Sequence, residues 1–301
     1  MSANTSLNRV AIIGGTHGNE LTGAYLIKHL QQNPESIKRS TFDTITILGN
    51  PQALKRGTRY VEKDLNRAFQ IQDLTNSRLA TYEDLRAKEI HQILGDRTQP
   101  KVDFIIDLHS TTSNMELTVI VGDEDPLILQ LLAYLCQHNP RVRIFSWSNT
   151  QANSFLRSLS RRSIAVEIGS IPHGVIDAGW FAATKQLVGQ ILDFLHSYSQ
   201  KAISPELFSP TVDIYRGKTI VDYPRNDRGE LTAMVSSNLA GKDYQPLHPG
   251  EPMFCTFVGR EILYTGTSVV YPVFINESSY LEKGIAMVLC EKDTVAIARP
   301  R

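Results

Sequence analysis

Short β-branched runs that stop at turn residues, with longer amphipathic stretches between them, constrain this chain more than any other feature. Arg9–Ile13 (RVAII) runs into Gly14-Gly15, and Thr44–Leu48 (TITIL) runs into Gly49-Asn50-Pro51. Phe104–Leu108 and Ile164–Ile168 are again short and apolar. Glycine, asparagine and proline at these ends mark strands that finish in turns. Helical stretches are expected over Glu20–Leu30, Asp73–Leu94, Pro126–Gln137 and Ala178–Ser197. Pro126 suits a first helical turn, and the last stretch repeats apolar positions every three to four residues. Strands alternating with helices imply an α/β fold, with a largely parallel sheet covered on both faces.

From about residue 204 the pattern changes. Val212–Tyr215, Thr219–Tyr223, Leu231–Val235, Met253–Phe257, Val269–Ile275 and Ala286–Leu289 read as short strands. Asn226-Asp227-Arg228-Gly229 between two of them is a hairpin-turn candidate. The expected organisation is a catalytic domain over residues 1–203 and a smaller β-rich C-terminal domain over residues 204–301. No internal repeat or low-complexity segment interrupts either.

Charge and composition narrow the function classes. Lys+Arg and Asp+Glu both number 31, so no overall field draws the chain to nucleic acid or an anionic membrane. No apolar run approaches the roughly 18–20 residues of a membrane span. MSANTSLNRV lacks the layout of a signal peptide. Cys136, Cys255 and Cys290 are far apart and form no C-x-x-C pair, which fits reduced thiols in a cytoplasmic protein. A homo-oligomer is the common default for such a soluble enzyme.

The chemistry concentrates at strand ends. Gly14-Gly15-Thr16-His17-Gly18-Asn19-Glu20 sits where a strand gives way to a helix, the place where open α/β sheets bind ligands. His17 and Glu20 are three apart and converge if the turn enters a helix between them. A phosphate-binding turn is the weaker reading, since the P-loop lysine and the dinucleotide glycine spacing are both missing. A catalytic zinc takes three protein ligands and keeps one position open, and His₂Glu is a known set. His109 is the best third ligand, because it too follows a buried strand. The bland alternative is a satisfied surface histidine with a helix-starting glutamate, and on residues alone the two readings stand level. Asp107, two residues before His109, is a candidate partner for that ring, with simple packing an equal alternative.

Glu167 ends the run Ser163–Gly169, and a carboxylate in an apolar strand is costly without a purpose or a partner. It could move protons at the metal edge, or form a structural ion pair with a nearby arginine. Arg56–Phe69 (RGTRYVEKDLNRAF) packs Arg56, Arg59, Lys63 and Arg67 into a neutral chain. A solvated loop is the usual explanation, but guanidinium forks also suit carboxylates and polarised carbonyls. Arg157 lies ten residues before Glu167, and Tyr271–Tyr280 mixes buried strand with Asn276, Glu277 and Tyr280.

The motifs GGTHGNE (14–20), NPQA (50–53), DLNRAF (64–69), DLHSTT (107–112), VEIG (166–169), VDYPR (221–225), HPG (248–250) and YPVFINE (271–277) together resemble the aspartoacylase/succinylglutamate desuccinylase family. The likeness runs in order from about residue 8 to residue 285. It implies a zinc-carboxypeptidase-like core with one zinc per subunit on His17, Glu20 and His109. It also implies Glu167 as general base and Arg59 as the group polarising the scissile carbonyl. Asn66 and Arg67 match residues that bind the α-carboxylate, and Arg157 and Tyr280 match those holding an aspartyl side-chain carboxylate. One departure stands out: Asn153 occupies the position of a tyrosine in mammalian members. The expected activity is zinc-dependent hydrolysis of N-acetyl-L-aspartate to acetate and L-aspartate by promoted-water attack. The alternatives are deacylation of N-acyl aromatic amino acids or of N-succinylglutamate, and a non-catalytic zinc- or anion-binding protein.

Overall fold

The computed structural model describes residues 7–122, 124–147, 154–204 and 208–297, so Asn153 and Pro205 lie outside the described residues. The apolar runs become β1 (Arg9–Gly14), β2 (Asp43–Leu48), β3 (Phe104–Ser110) and β6 (Ser163–Gly169). Between β3 and β6 lie β4 (Glu116–Val121) and β5 (Val142–Ser146), which are absent from the run-by-run expectation. The C-terminal part adds β7 (Thr211–Val221), β8 (Ala233–Val235), β9 (Pro252–Thr256), β10 (Glu261–Leu263), β11 (Tyr271–Val273) and β12 (Met287–Ala296). A nine-stranded sheet has the order β11-β12-β7-β5-β4-β6-β3-β1-β2, and β10-β9-β8 form a separate small sheet. Pairing is parallel for β2-β1, β1-β3, β3-β6, β4-β5 and β5-β7. It is antiparallel where β4 meets β6 and where β12 meets β7 and β11. The sheet is therefore mixed and largely parallel.

Side chains alternate across a strand, and the alternation decides which face each functional residue can reach. Val10, Ile12, Phe104, Ile106, Leu108, Val166 and Ile168 join one core with the helices α1 (Leu21–Gln32), α5 (Pro126–His138) and α6 (Ala178–Ser199). Ala11, Ile13 and Ile105 belong to the core on the other face, with Leu65, Phe69 and the helix α4 (Tyr82–Leu94). By the same alternation Asp107, His109, Ala165 and Glu167 belong to this second face. Gly14 lets α1 sit close on β1, since a Cβ there would lie 2.4 Å from the Gly23 carbonyl oxygen.

Two expectations change. The helix expected over Asp73–Leu94 breaks into α3 (Ile71–Leu74) and α4. A capping box between Thr81 and Asp84 starts α4, and the Asn76 side chain accepts from Arg78 N–H at 3.0 Å, so local polar groups compete with the helix. The two strands expected over Val212–Tyr223 are one long strand, β7. Its partner β12 runs on past Leu289 through Glu291-Lys292-Asp293, where cross-strand ion pairs replace apolar alternation. Lys292 meets Asp213 at 2.7 Å, Lys218 meets Glu291 at 2.9 Å and Arg216 meets Asp293 at 2.9 Å. Asn226–Gly229 does form a turn, with Gly229 N–H donating to the Asn226 carbonyl at 2.9 Å.

A buried carboxylate ties the C-terminal segments to the loop after β3. Asp243 accepts from Asn114 N–H at 3.1 Å and from Ile275 N–H at 3.0 Å. Asp243→Ala strands two backbone donors away from water, each costing about 1–3 kcal/mol. The expected outcome is a lower urea midpoint with an unchanged slope. A midpoint equal to that of the parent would show that Asp243 is not a structural tie.

Candidate active site

The turn after β1 carries His17 and Glu20 to the sheet edge. Gly15 makes that turn in the left-handed region at φ 71°, where a side chain is strained. Ligand atoms of His17, Glu20 and His109 all lie within 4.8 Å of one another, and all three residues are buried. His17 Nδ1 is 2.6 Å from Glu20 Oε1, and His109 Nδ1 is 3.0 Å from Glu20 Oε2. His17 Nδ1 is also a buried atom with no hydrogen-bond partner. It approaches the carboxylate side by side, as donors converging on a shared cation do. The donor set and this orphaned nitrogen fit a divalent metal of the zinc type.

Each ring is held from behind. His109 Nε2 meets Asp107 Oδ2 at 2.8 Å, and Thr16 Oγ1 donates to the other Asp107 oxygen at 3.0 Å. His17 Nε2 meets Asp64 Oδ1 at 3.0 Å. Carboxylates placed this way fix the ring orientation and raise ligand basicity. The Asp64 contact spans 47 residues and carries no local signature, so run-by-run reading passes over it. Burial opposes the charge on Glu20, but His17 and the His109 hydrogen bond outweigh it and hold its carboxyl well below the usual range. Ionised Glu20 also accepts from Ser110 N–H at 3.1 Å and from Arg59 at 2.9 Å.

Glu167 stands beside His109. The two are direct register partners across β3 and β6, on the same sheet face. Burial pushes the Glu167 carboxyl up to about 8. The His109 charge opposes this, Glu20 and Glu277 add to it, and Arg59 opposes it again. Arg59 approaches the metal set from the loop before Asp64, and its Nε is buried without a hydrogen-bond partner.

A cavity of about 440 Å³ opens on this face, and His17, Arg59, Asn66, Arg67, His109, Arg157, Glu167 and Tyr280 all line it. Lys283 adds a further cation, 3.3 Å from Asp64 Oδ2. Asn66 also accepts from Leu156 N–H at 2.9 Å through its side-chain oxygen, which ties the arginine-rich loop to the segment carrying Arg157. The guanidinium carbons of Arg67 and Arg157 lie 4.4 and 5.5 Å from the Phe155 ring centre, so one aromatic stacks against both. The expected site residues thus come together around one space. His29, His91, His138, His196 and His248 stay out of it, and His173 lies behind Arg59 beside a neighbouring shallow cavity.

Tyr280 comes from the C-terminal part and depends on Glu277. The Glu277 carboxylate accepts from Thr111 Oγ1, from Thr112 N–H at 2.7 Å and from Ser279 N–H at 3.0 Å. It therefore pins the turn that presents Tyr280 to the loop directly after His109. Its partners Thr111 and Thr112 are more than 160 residues away, so no local pattern announces the role.

The His₂Glu cluster, the buried carboxyl beside it and the basic groups around one cavity suit amide hydrolysis, the reaction for which relatives of this chain are named. The chain belongs to the succinylglutamate desuccinylase/aspartoacylase family. Residues 6–195 match its catalytic domain, and residues 210–292 match the AstE/AspA barrel-sandwich hybrid domain. A probable aspartoacylase of Nostoc sp. is 48% identical over 289 residues, covering 96% of this chain and 98% of its own length. The human N-acyl-aromatic-L-amino acid amidohydrolase (carboxylate-forming) is 38% identical over 299 residues, covering 97% of this chain and 92% of its own. The crystal structure of murine aminoacylase 3 superposes with a TM-score of 0.90 at 37% identity, covering 98% of both chains. Succinylglutamate desuccinylase from Vibrio parahaemolyticus, at 16% identity and a TM-score of 0.64 over 98% of this chain and 87% of its own, shares the fold.

Asp64→Asn keeps the size of the group that holds His17 but removes its charge. Zinc affinity, measured by competition with a chromogenic chelator, is expected to fall about 10–100-fold. An unchanged affinity would mean that the contact does not support the metal set.

Proposed function

We propose that this chain is a zinc-dependent amidohydrolase that cleaves N-acyl-L-aspartate, most simply N-acetylaspartate, to a carboxylate and L-aspartate. The observation that carries this reading is the placement of Glu167 beside His109, on the face where the three ligand side chains meet. His17, Glu20 and His109 would hold the metal. When bound, zinc supplies a Lewis acid and a water of lowered pKa.

The chain's own groups do the rest. Glu167 takes a proton from the attacking water and returns it to the leaving nitrogen, a proton transfer that needs one carboxyl within reach of both atoms. Arg59, which lines the cavity beside the metal set, donates to the carbonyl oxygen as negative charge builds there. Asn66 and Arg67 hold the α-carboxylate, and Arg157 with Tyr280 holds the side-chain carboxylate. Guanidinium groups suit both tasks because they meet a carboxylate with paired donors. Arg67 and Arg157 on one cavity suit the two carboxylates of an N-acylaspartate, while Arg59 and Lys283 are ion-paired with Glu20 and Asp64.

A second reading is deacylation of N-acyl aromatic amino acids. It is supported by Phe145, Trp147, Phe155 and Phe274 in the same cavity, and by the activity named for the human relative. Comparing kcat/KM for N-acetylaspartate, N-acetylglutamate, N-succinylglutamate and N-acetylphenylalanine separates the readings. Preference for N-acetylphenylalanine would replace the aspartate assignment.

Glu167→Gln should retain stoichiometric zinc and lose about 10²–10⁴ in turnover. Near-normal acetate release by that variant would remove Glu167 from the mechanism. Exhaustive chelation should abolish hydrolysis, and added zinc should restore it. Activity that persists in metal-free protein would contradict the zinc assignment.

A further inference from the structure

The cavity extends well past the residues assigned to the reaction. From the metal set it crosses the sheet face over Glu167 on β6 to Ile120 on β4, then to Phe145 and Trp147 at β5, and on to Val288 on β12. This far half carries no assigned polar group. Its wall is a chain of rings: Trp147 to Phe145 at 6.2 Å between centres, Phe145 to Phe274 at 5.8 Å and Phe274 to Tyr280 at 5.3 Å. An aspartyl side chain ends at its carboxylate and has no use for an aromatic compartment beyond it.

One wall of this half is set by a contact between two strands. Trp147 follows β5, and Gly217 lies in β7, the strand paired with β5. A Cβ on Gly217 would stand 1.8 Å from Trp147 Cε3 and 2.3 Å from Cζ3, closer than any real contact. Gly217 is absent from the positive-φ glycines, so glycine is required there for room and not for backbone freedom. The β7–β12 register shifts at the same place, pairing Leu289 with Thr219 and Cys290 with Gly217. The glycine and the shifted strand pair together make the seat in which the indole rests.

We propose that Trp147, seated on Gly217, is a specificity-determining residue that walls the apolar half of the cavity and sets the size of the apolar substrate arm admitted there. The arm is an aromatic side chain or an extended acyl chain. The inference rests on the reading of this cavity as the site of N-acyl amino acid hydrolysis. A pocket edge of this kind discriminates by steric fit, and a methylene group more or less changes selectivity by tenfold or more.

The test is a substrate panel on zinc-loaded wild type, Trp147→Ala and the milder Trp147→Leu. The panel holds N-acetylaspartate, N-acetylphenylalanine, N-acetyltryptophan and N-hexanoylaspartate. Removing that wall should raise kcat/KM for the larger apolar arms relative to N-acetylaspartate by about tenfold. A gain with the aromatic amino acids identifies a side-chain compartment, and a gain with the hexanoyl substrate an acyl one. Ratios within about twofold of wild type for every substrate, in folded variants, would overturn the proposal while leaving hydrolysis intact.

Two further arms do not depend on turnover. Gly217→Ala should lower the melting temperature in wild type and much less in Trp147→Ala, since the clash needs the indole. Equal losses in both backgrounds would remove the seat. The chain holds only two tryptophans, so Trp180→Phe leaves Trp147 as the sole indole reporter. Saturating N-acetylphenylalanine should shift its emission more than N-acetylaspartate does. If the wild type cleaves no member of the panel, the hydrolytic reading fails, and an emission unmoved by N-acetylphenylalanine then sinks this proposal separately.

Discussion

The Glu20 carboxylate is the interaction on which the rest of the site depends. One side chain meets His17 from its own turn, His109 and Ser110 from the end of β3, and Arg59 from the loop that follows α2 (Pro51–Arg56). A buried anion is costly unless several opposite charges and donors surround it, so these segments must arrive together for any of them to be stable in place. The same requirement explains the aspartates behind both rings. Each histidine is held between two carboxylates, and a dense negative cluster of that kind is stable only with cations among it. Arg59 and Lys283 supply part of that balance, and the fit to a divalent ion supplies the reason for the rest.

Much of the fold was readable from the residues because the central strands are buried on both faces. β1, β3 and β6 stand out as apolar runs for that reason, while β2, a part-buried edge strand, shows through its own Thr-Ile-Thr-Ile alternation. β12 shows the opposite case. Its outer half is stabilised by ion pairs to β7, and a charged string has no apolar period to detect. The break between α3 and α4 was hidden because apolar spacing continues through it, while the capping box that decides the matter is a side-chain event.

The site divides along similar lines. His17 and Glu20 are close in sequence, and Asp107, His109 and Glu167 sit at strand ends, so strand alternation alone places them on one face. Arg59, Asn66, Arg67, Arg157 and Tyr280 were assigned through resemblance, and the fold brings all of them to the same cavity. Asp64 behind His17, Glu277 behind Tyr280 and Gly217 beneath Trp147 were not legible. Each acts through a partner far away in the chain, and an aspartate, a glutamate or a glycine has no spacing rule for such a partner.

The strand order also bears on how the site is shared along the chain. The candidate ligand trio is complete by residue 109, and β1 pairs with both β2 and β3 without help from the C-terminal part. β12, the final strand in chain order, is interior to the sheet, lying between β7 and β11. The three candidate ligand side chains therefore precede in the chain the residues that complete the cavity beside them. The three candidate ligands and most of the polar groups around the cavity thus come from the first 170 residues, and the C-terminal part completes the same wall with Phe274, Tyr280, Lys283 and Val288.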